Sequence, residues 1–506
     1  MLVIGAPFLA FYGNSLDFFQ DETYSVWLAK PGWRHIAEFI AYEPHPPFYH
    51  AVLAGWMNLW GDSEVSVRAL SGTCYLLSLV TIVWLGRHIF RYDELIAVVV
   101  MAACSTRLLD VAQYGRMYAL MFLESCVAFL AFAAIFLGQV KGRGLVMLLA
   151  TVNLAAMFTH YYLPFAVLAQ AVVFLVLIRR DWANAVIALV LPVAVFLIIW
   201  GPQLYHHLRL HRFADSHYVL PNWRVLQSEL YDYYGRRWFP VFIPALLILI
   251  LVARSDGRLN LTRWSSLEAR FRSAFRDRRV QAFGILWIVV FFGPFLVAMG
   301  TGAVFLTTGG TYIQTLLPFV VVFAVLIRRS DLRQKAALAL LILAATVALE
   351  VRHHDILRND IPDNRASIQI LKNKVADGDT IVCLDNYITL FYYYMDRPPA
   401  GKHVVVQAYP PDLAAHPGWS DTGLAIRDPA AYMDAAQAYA ADCARDLSAH
   451  AGRRLWFISS PWTPEASLIV AAAFDSRLRR VESISAEGGS GYDKYIAYEA
   501  DSLPAE

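Results

Sequence analysis

Residues 117–137 read MYALMFLESCVAFLAFAAIFL, with one acidic and no basic side chain, that of Glu124, in 21 residues. At 1.5 Å per residue, a helix of that length crosses a hydrocarbon core of about 30 Å. Blocks of about 15–22 apolar residues recur along the 506-residue chain. Hydrophobic residues make up 58% of it and charged residues only 17%, against about 25% charged in an ordinary soluble domain. A soluble chain has no reason to repeat that block length. The sequence therefore predicts an α-helical polytopic membrane protein.

Working outward from 117–137, about eleven spans are expected. They are Leu2–Leu16 (short), Val67–Leu85, Leu95–Leu109, Met117–Leu137, Leu145–Thr159, Pro164–Ile178 and Ala183–Trp200, then Val241–Val252, Phe283–Met299, Tyr312–Ile327 and Ala336–Leu349. The first stretch has no basic leader and no clear cleavage site, so it is expected to remain a span. One set of loops carries Arg87, Arg91, Lys141, Arg143, Arg179, Arg180, the run Arg254–Arg279, Arg328, Arg329, Arg333 and Lys335. The other set, the tail aside, carries about half as many basic residues, so the positive-inside rule places the first set in the cytoplasm. The loop at 17–66, the loop at 201–240 and the tail from Arg352 then face outward. Arg254–Arg279 alternates arginine with Leu, Trp and Phe, the pattern of an amphipathic helix on anionic headgroups.

The tail changes character. Thr380–Leu384 and Arg454–Ile458 are short apolar runs of the kind buried strands make. Asp428–Leu447 is Ala-rich and opens on Asp428-Pro429, an N-cap followed by proline at the first helical position. Strand and helix alternation predicts a small soluble α/β domain over 351–506, behind a membrane module over 1–350. The net charge of +2 gives no nucleic-acid footprint. Five cysteines are too few for a disulfide scaffold. Cys74, Cys104 and Cys126 read as small core residues, while Cys383 and Cys443 pair only if they meet in space.

The first outward loop concentrates the chemistry. It runs Asp17-Phe18-Phe19-Gln20-Asp21-Glu22-Thr23-Tyr24-Ser25-Val26-Trp27. Two adjacent acids repel, and an acid near the membrane surface in an apolar setting suits a general base. The plainer reading is a helix N-terminus with both acids serving its dipole. Next comes Tyr42-Glu43-Pro44-His45-Pro46-Pro47-Phe48. The two prolines fix an extended entry into a helix and hold His45 at its mouth. Gly61-Asp62-Ser63-Glu64, then Arg68, form an interfacial turn into the second span.

In that order these segments resemble bacterial members of the protein O-mannosyltransferase and aminoarabinose transferase superfamily. These are GT-C fold glycosyltransferases that use polyprenyl-phosphate sugars. Gln113-Tyr114-Gly115-Arg116-Met117-Tyr118-Ala119-Leu120 resembles the family's second outward loop. Thr159-His160-Tyr161-Tyr162 resembles its third, and Tyr312-Ile313-Gln314-Thr315-Leu316-Leu317-Pro318 its late helix. The resemblance covers about residues 10–330. It departs from the pattern at Tyr114, where the family carries an acid, and at Thr311, where it carries arginine. No match is identified for the tail.

The resemblance implies a transferase working at headgroup depth, since the donor's lipid tail stays in the bilayer. Asp21 maps to the catalytic base, which takes the acceptor hydroxyl's proton as oxygen attacks the anomeric carbon. Polyprenyl phosphate leaves from the opposite face, with inversion. Glu22 would orient the acceptor. The departing phosphate needs cationic or polar donors, and His45, Arg68 and Arg116 are candidates. Gln113, Tyr118, His160 and Tyr312 belong to the matching motifs. Arg236 and Arg237, at the outer end of the eighth span, are further candidates, with an interfacial anchor as their plainer role. His160 fits hydrogen-bonded packing as well as substrate contact. His206, His207, His211 and His217 fit an amphipathic interface helix better than a metal site. No Asp-x-Asp stands in an outward loop, so no obligatory divalent metal or other cofactor is expected. The expected partners are the bilayer, a polyprenyl-phosphate sugar donor, and a lipid, glycan or protein acceptor on the outer side of a bacterial inner membrane. Two rivals are a lipid-linked substrate flippase, which needs acids deep in the spans, and a non-catalytic envelope scaffold.

Overall fold

The computed structural model describes residues 16–41, 43, 45–210, 222–230, 276–301, 312–326, 364–384, 387–395, 403–411, 424–450, 452–459, 463–485 and 494–500. The spans expected at Val241–Val252 and Ala336–Leu349, nearly all of Leu2–Leu16, most of Arg254–Arg279, and Arg236, Arg237, His211 and His217 lie outside the described residues. Two compact units emerge, one holding 45–212 and 219–353, the other 16–44 and 354–506 among its segments.

The first unit is helical. Glu64–Gly86, Tyr118–Phe136, Trp182–His206 and Arg278–Gly300 are long and apolar enough to cross a membrane. Arg143–Thr159, Pro164–Ile178 and Ile313–Val325 are shorter apolar helices. Tyr118–Phe136 is the hub: Phe122, Phe129 and Phe132 are fully buried, and it packs on both Glu64–Gly86 and Arg143–Thr159. Trp182–His206 is the opposite case, with Ile198 79% and Ile199 62% exposed, a surface suited to lipid tails. His206 is exposed near the end of that run. Inside the bundle, Asn153 and Gln170 exchange amide hydrogen bonds of 3.3 and 3.0 Å, and Asn153 Nδ2 also donates to the Ala188 carbonyl at 2.9 Å. Polar side chains buried among apolar helices act as adhesive in this way.

The span expected at Leu95–Leu109 is instead two helices, Tyr92–Ala103 and Thr106–Ala112, bent by 55°. The cause is local. Cys104 leaves helical geometry, and the extended Ser105 starts a new helix, its Oγ accepting the Leu108 N–H at 3.3 Å. The Tyr75 hydroxyl donates to the Ala103 carbonyl at 2.9 Å, serving a carbonyl that the break leaves without its helical partner. The second expected span starts earlier than the sequence suggested, at Glu64. Ser63 Oγ accepts the Ser66 N–H at 3.2 Å and Ser66 Oγ donates to the Gly61 carbonyl at 2.7 Å. Gly61 sits at φ +78°, which a side chain would strain.

The basic loops meet one another. Arg180 Nη2 donates to the Phe136 carbonyl at 3.4 Å. Arg279 clamps the loop after Glu64–Gly86, giving Nη1 to Glu94 Oε2 at 2.6 Å and to the Ile89 carbonyl at 3.1 Å. Its other edge binds Asp277 at 2.6 and 3.0 Å. The Glu94 side chain is fully buried. Removing one partner of a buried pair leaves the other charge uncompensated. Arg279→Met is expected to destabilise the membrane unit by about 3 kcal/mol, read as a lowered thermal midpoint in detergent, with Arg279→Lys intermediate.

The second unit contains a five-stranded mixed sheet in the order β2-β1-β3-β5-β4. β1 (Thr380–Leu384) runs parallel to β2 (Val405–Tyr409) and β3 (Leu455–Ile458). β3 then pairs antiparallel with β5 (Lys494–Ala500), and β5 with β4 (Leu478–Ser485). β1 and β3 are buried along their whole length, which is why they read as unbroken apolar runs rather than as alternation. One face carries Val382, Leu384, Phe457 and Tyr498 against the helices Pro429–Ala449 and Pro464–Asp475. The first of these starts as its sequence indicates, with the Asp428 carboxylate accepting the Ala431 N–H at 3.1 Å and Pro429 following. Cys383 and Cys443 are both free thiols, and burial pushes the Cys443 thiol up to about 11. At the foot of the sheet Asp379 is fully buried. It accepts from the Arg454 and Ala376 N–H groups at 2.9 Å each and from Trp456 Nε1 at 3.0 Å.

Candidate functional site

The segment that carries Asp21 folds as two short helices, Gln20–Ala29 and Trp33–Phe39, joined through Gly32 at φ +93°. Trp27 holds the pair together, its ring 4.6 Å from His35 and 5.2 Å from Phe39. Phe19 is extended and the helix begins behind it. Glu22, at the third helical position, turns back so that its Oε2 accepts the Phe19 N–H at 2.9 Å, and its side chain is fully buried. Asp21 keeps partial exposure, and its backbone carbonyl accepts Ser25 Oγ at 3.0 Å. Helix geometry thus divides the adjacent acids. One oxygen of Glu22 closes the helix start, the plainer of the two roles weighed for it, and Asp21 presents the more accessible carboxylate.

In the membrane unit, four stretches far apart in sequence converge. His45, 5% exposed, precedes Pro46 and Pro47, and Pro47 caps the helix Phe48–Trp60. Its ring centroid lies 4.9 Å from that of His160. His160 ends the helix Arg143–Thr159 by turning extended, and its Nδ1 accepts the Tyr162 N–H at 3.1 Å. In the neutral ring the proton therefore sits on Nε2. Tyr118 stands 6.5 Å and Tyr162 5.2 Å from His160, centroid to centroid. Tyr162 lies 5.8 Å from the fully buried Tyr312. Tyr114 stacks on Tyr118 at 6.1 Å. Beneath this chain of rings, Thr159 Oγ1 donates to Glu124 Oε1 at 2.8 Å.

Arg68 and Arg116 are each only 2% exposed. Arg68 lies in the second turn of Glu64–Gly86, inside the helix rather than in the interfacial turn the sequence suggested. One turn further on, Ser71 Oγ donates to the Tyr114 carbonyl at 2.7 Å. That bond seats the bend carrying Arg116 on the face of the helix that also bears Arg68. Both guanidinium groups are thus held inside the membrane unit. Gln113 caps the helix Thr106–Ala112, and its Nε2 donates to the Leu109 carbonyl at 3.3 Å. Among the described residues no three His, Cys, Asp or Glu side chains gather as a metal site.

Sequence reasoning missed Tyr114 and Tyr162 as members of the ring chain, although the three aromatic residues around His160 were a signal. In the sequence Glu124 reads only as a lone acid within a span, and such an acid calls for a named partner. That partner is Thr159, adjacent to His160. Nothing local announced the tail residues Asn364, Thr389 and Tyr394, which bond to residues 18 and 23.

No family model and no curated protein sequence matches the chain. Solved structures do. The chain is similar in fold to ArnT from Cupriavidus metallidurans bound to undecaprenyl phosphate, with a TM-score of 0.57 and 14% identity over 100% of this chain and 98% of that one. The apo structure of the same protein matches with a TM-score of 0.57 at 13% identity and the same coverage. The likeness is one of fold over the full length, membrane helices and tail together.

Proposed function

We propose that this chain is a GT-C type membrane glycosyltransferase with about eleven spans and an outward α/β tail. It transfers a sugar from a polyprenyl-phosphate donor to a lipid, glycan or protein acceptor on the periplasmic side of a bacterial inner membrane. The observation that carries this reading is the close pair of His45 and His160 rings, 4.9 Å apart, in a membrane unit that also buries Arg68 and Arg116. The full-length likeness in fold to an undecaprenyl-phosphate complex supports it.

In this reading Asp21 takes the proton of the acceptor hydroxyl as its oxygen attacks the anomeric carbon. The C1–O bond to phosphate breaks on the opposite face, so the product is inverted and polyprenyl phosphate departs. Charge grows on the leaving phosphate, and fixed cations stabilise it best when they are already in place and away from water. Arg68 and Arg116 supply fixed charge, and His45 and His160 supply imidazole donors. Tyr118 and Tyr312 wall the region with rings. A monophosphate leaving group carries less charge than a nucleotide diphosphate and makes less demand for a divalent cation. The tail bonds to residues 17–23 of the first loop, which supports one compartment for both.

The test is binding of undecaprenyl phosphate to the purified protein in nanodiscs. Arg116→Met should weaken binding by about tenfold to a hundredfold, the worth of one charge-assisted contact. His45→Ala should weaken it in the same direction. Equal affinity in wild type and both variants would sink the reading.

A further inference from the structure

Nothing in the reaction as written employs the tail, yet the tail grips the helix start that bears Asp21. The Phe18 N–H donates to the Tyr394 hydroxyl at 2.8 Å, and Asn364 Nδ2 donates to the Phe18 carbonyl at 2.9 Å. Both backbone groups of one residue are thus held by side chains 376 and 346 positions away. The Phe18 ring is fully buried and packs edge-on to Tyr393 at 4.9 Å. Asp17 Oδ2 accepts the Arg365 N–H at 2.7 Å. On the far side of Asp21, the hydroxyls of Thr23 and Thr389 share a buried hydrogen bond of 2.9 Å. The two tail helices involved, Asn364–Lys374 and Ile388–Met395, are tied to each other as Lys372 Nζ donates to the Tyr394 carbonyl at 2.5 Å.

We propose that these two tail helices are the platform that positions Asp21, with Asn364, Thr389 and Tyr394 as positioning residues. The inference rests on reading Asp21 as the general base. Bonds at residues 18 and 23 bracket Asp21 on both sides, and buried hydrogen bonds to backbone fix the place and rotation of a helix start more firmly than apolar packing does. A base must sit within hydrogen-bond reach of the proton it removes, and a misplacement of about 1 Å costs on the order of a hundredfold in rate. The tail's task in this account is geometric.

The experiment uses the full-length enzyme in nanodiscs with a polyprenyl-phosphate sugar donor. Thr389→Val keeps the shape and removes the hydroxyl, and Tyr394→Phe leaves the Phe18 N–H without its acceptor. Each should lower kcat by about tenfold to a hundredfold, while the donor KM stays within about twofold, as expected when positioning rather than binding is lost. Thr389→Ser restores the hydroxyl and should restore kcat. Hydrogen exchange should quicken over residues 18–23 and stay unchanged over β1, which separates loosening from unfolding. Unchanged kcat in both variants, with Asp21→Asn inactive, overturns the platform and leaves the catalytic reading standing. A Thr389→Ser enzyme as slow as Thr389→Val also overturns it. Full turnover in Asp21→Asn removes the catalytic reading and the platform with it.

Discussion

Asp21→Asn is expected to lower kcat by about 10²- to 10⁴-fold, the usual worth of general-base help, or about 3–5 kcal/mol of barrier. Asparagine keeps the size of the side chain and its place in the first helical turn, but it cannot accept the proton. Donor affinity should stay within about twofold, because the phosphate is assigned to other residues. Single-turnover transfer with purified enzyme reads the chemical step directly. Glu22→Gln is the informative control. The amide oxygen still accepts the Phe19 N–H that Glu22 Oε2 now holds at 2.9 Å, and a capping interaction is worth about 1 kcal/mol. Its kcat should therefore stay within about threefold of wild type. If Glu22→Gln is as impaired as Asp21→Asn, the division of roles between the two acids is wrong.

Asp379→Ala is expected to be the most damaging substitution in the tail. The carboxylate is fully buried and satisfies three donors, two backbone N–H groups and the Trp456 indole. Alanine leaves all three in the interior without an acceptor, at about 1–3 kcal/mol each. Partial relaxation brings the expected total to about 3–5 kcal/mol, at the extreme of single substitutions. Asp379→Asn retains one acceptor oxygen and should fall between. Tail unfolding is followed by tryptophan fluorescence of the full chain in denaturant, since Trp456 reports on the site itself. A midpoint for Asp379→Ala equal to wild type would refute the argument. Transfer activity should fall alongside stability, because the tail helices that bind residues 18 and 23 lean on the same sheet.

Much of this architecture is legible in sequence where the signal is local. The helix Tyr118–Phe136 and the buried strands β1 and β3 follow from composition and length. The start at Asp428-Pro429 follows from capping chemistry. The break at Cys104-Ser105 did not, because an apolar run hides a cap serine whose effect depends on Tyr75 reaching the Ala103 carbonyl. The burial of Arg68 was also hidden, since a helix that begins at Glu64 carries it inside. Adjacent acids at 21 and 22 were visible, but their different surroundings depend on which one stands at the third helical position. The grip of Asn364, Thr389 and Tyr394 on the first loop could not be read at all. Contacts between residues more than 340 positions apart leave no periodicity and no local motif.

That grip carries a consequence of parity. Two segments that share hydrogen bonds lie on the same side of a bilayer, so the chain between residues 44 and 364 must traverse it an even number of times. The sequence expects ten traverses there. Among the described residues, the bent pair Tyr92–Ala103 and Thr106–Ala112 is the one with two readings, since a hairpin that enters and leaves by one face contributes none. That would leave nine, an odd number. If the nine other expected spans all cross, two of them outside the described residues, the bent pair passes through to the opposite leaflet. The small bond between two threonine hydroxyls thus constrains the path of a helix it never touches.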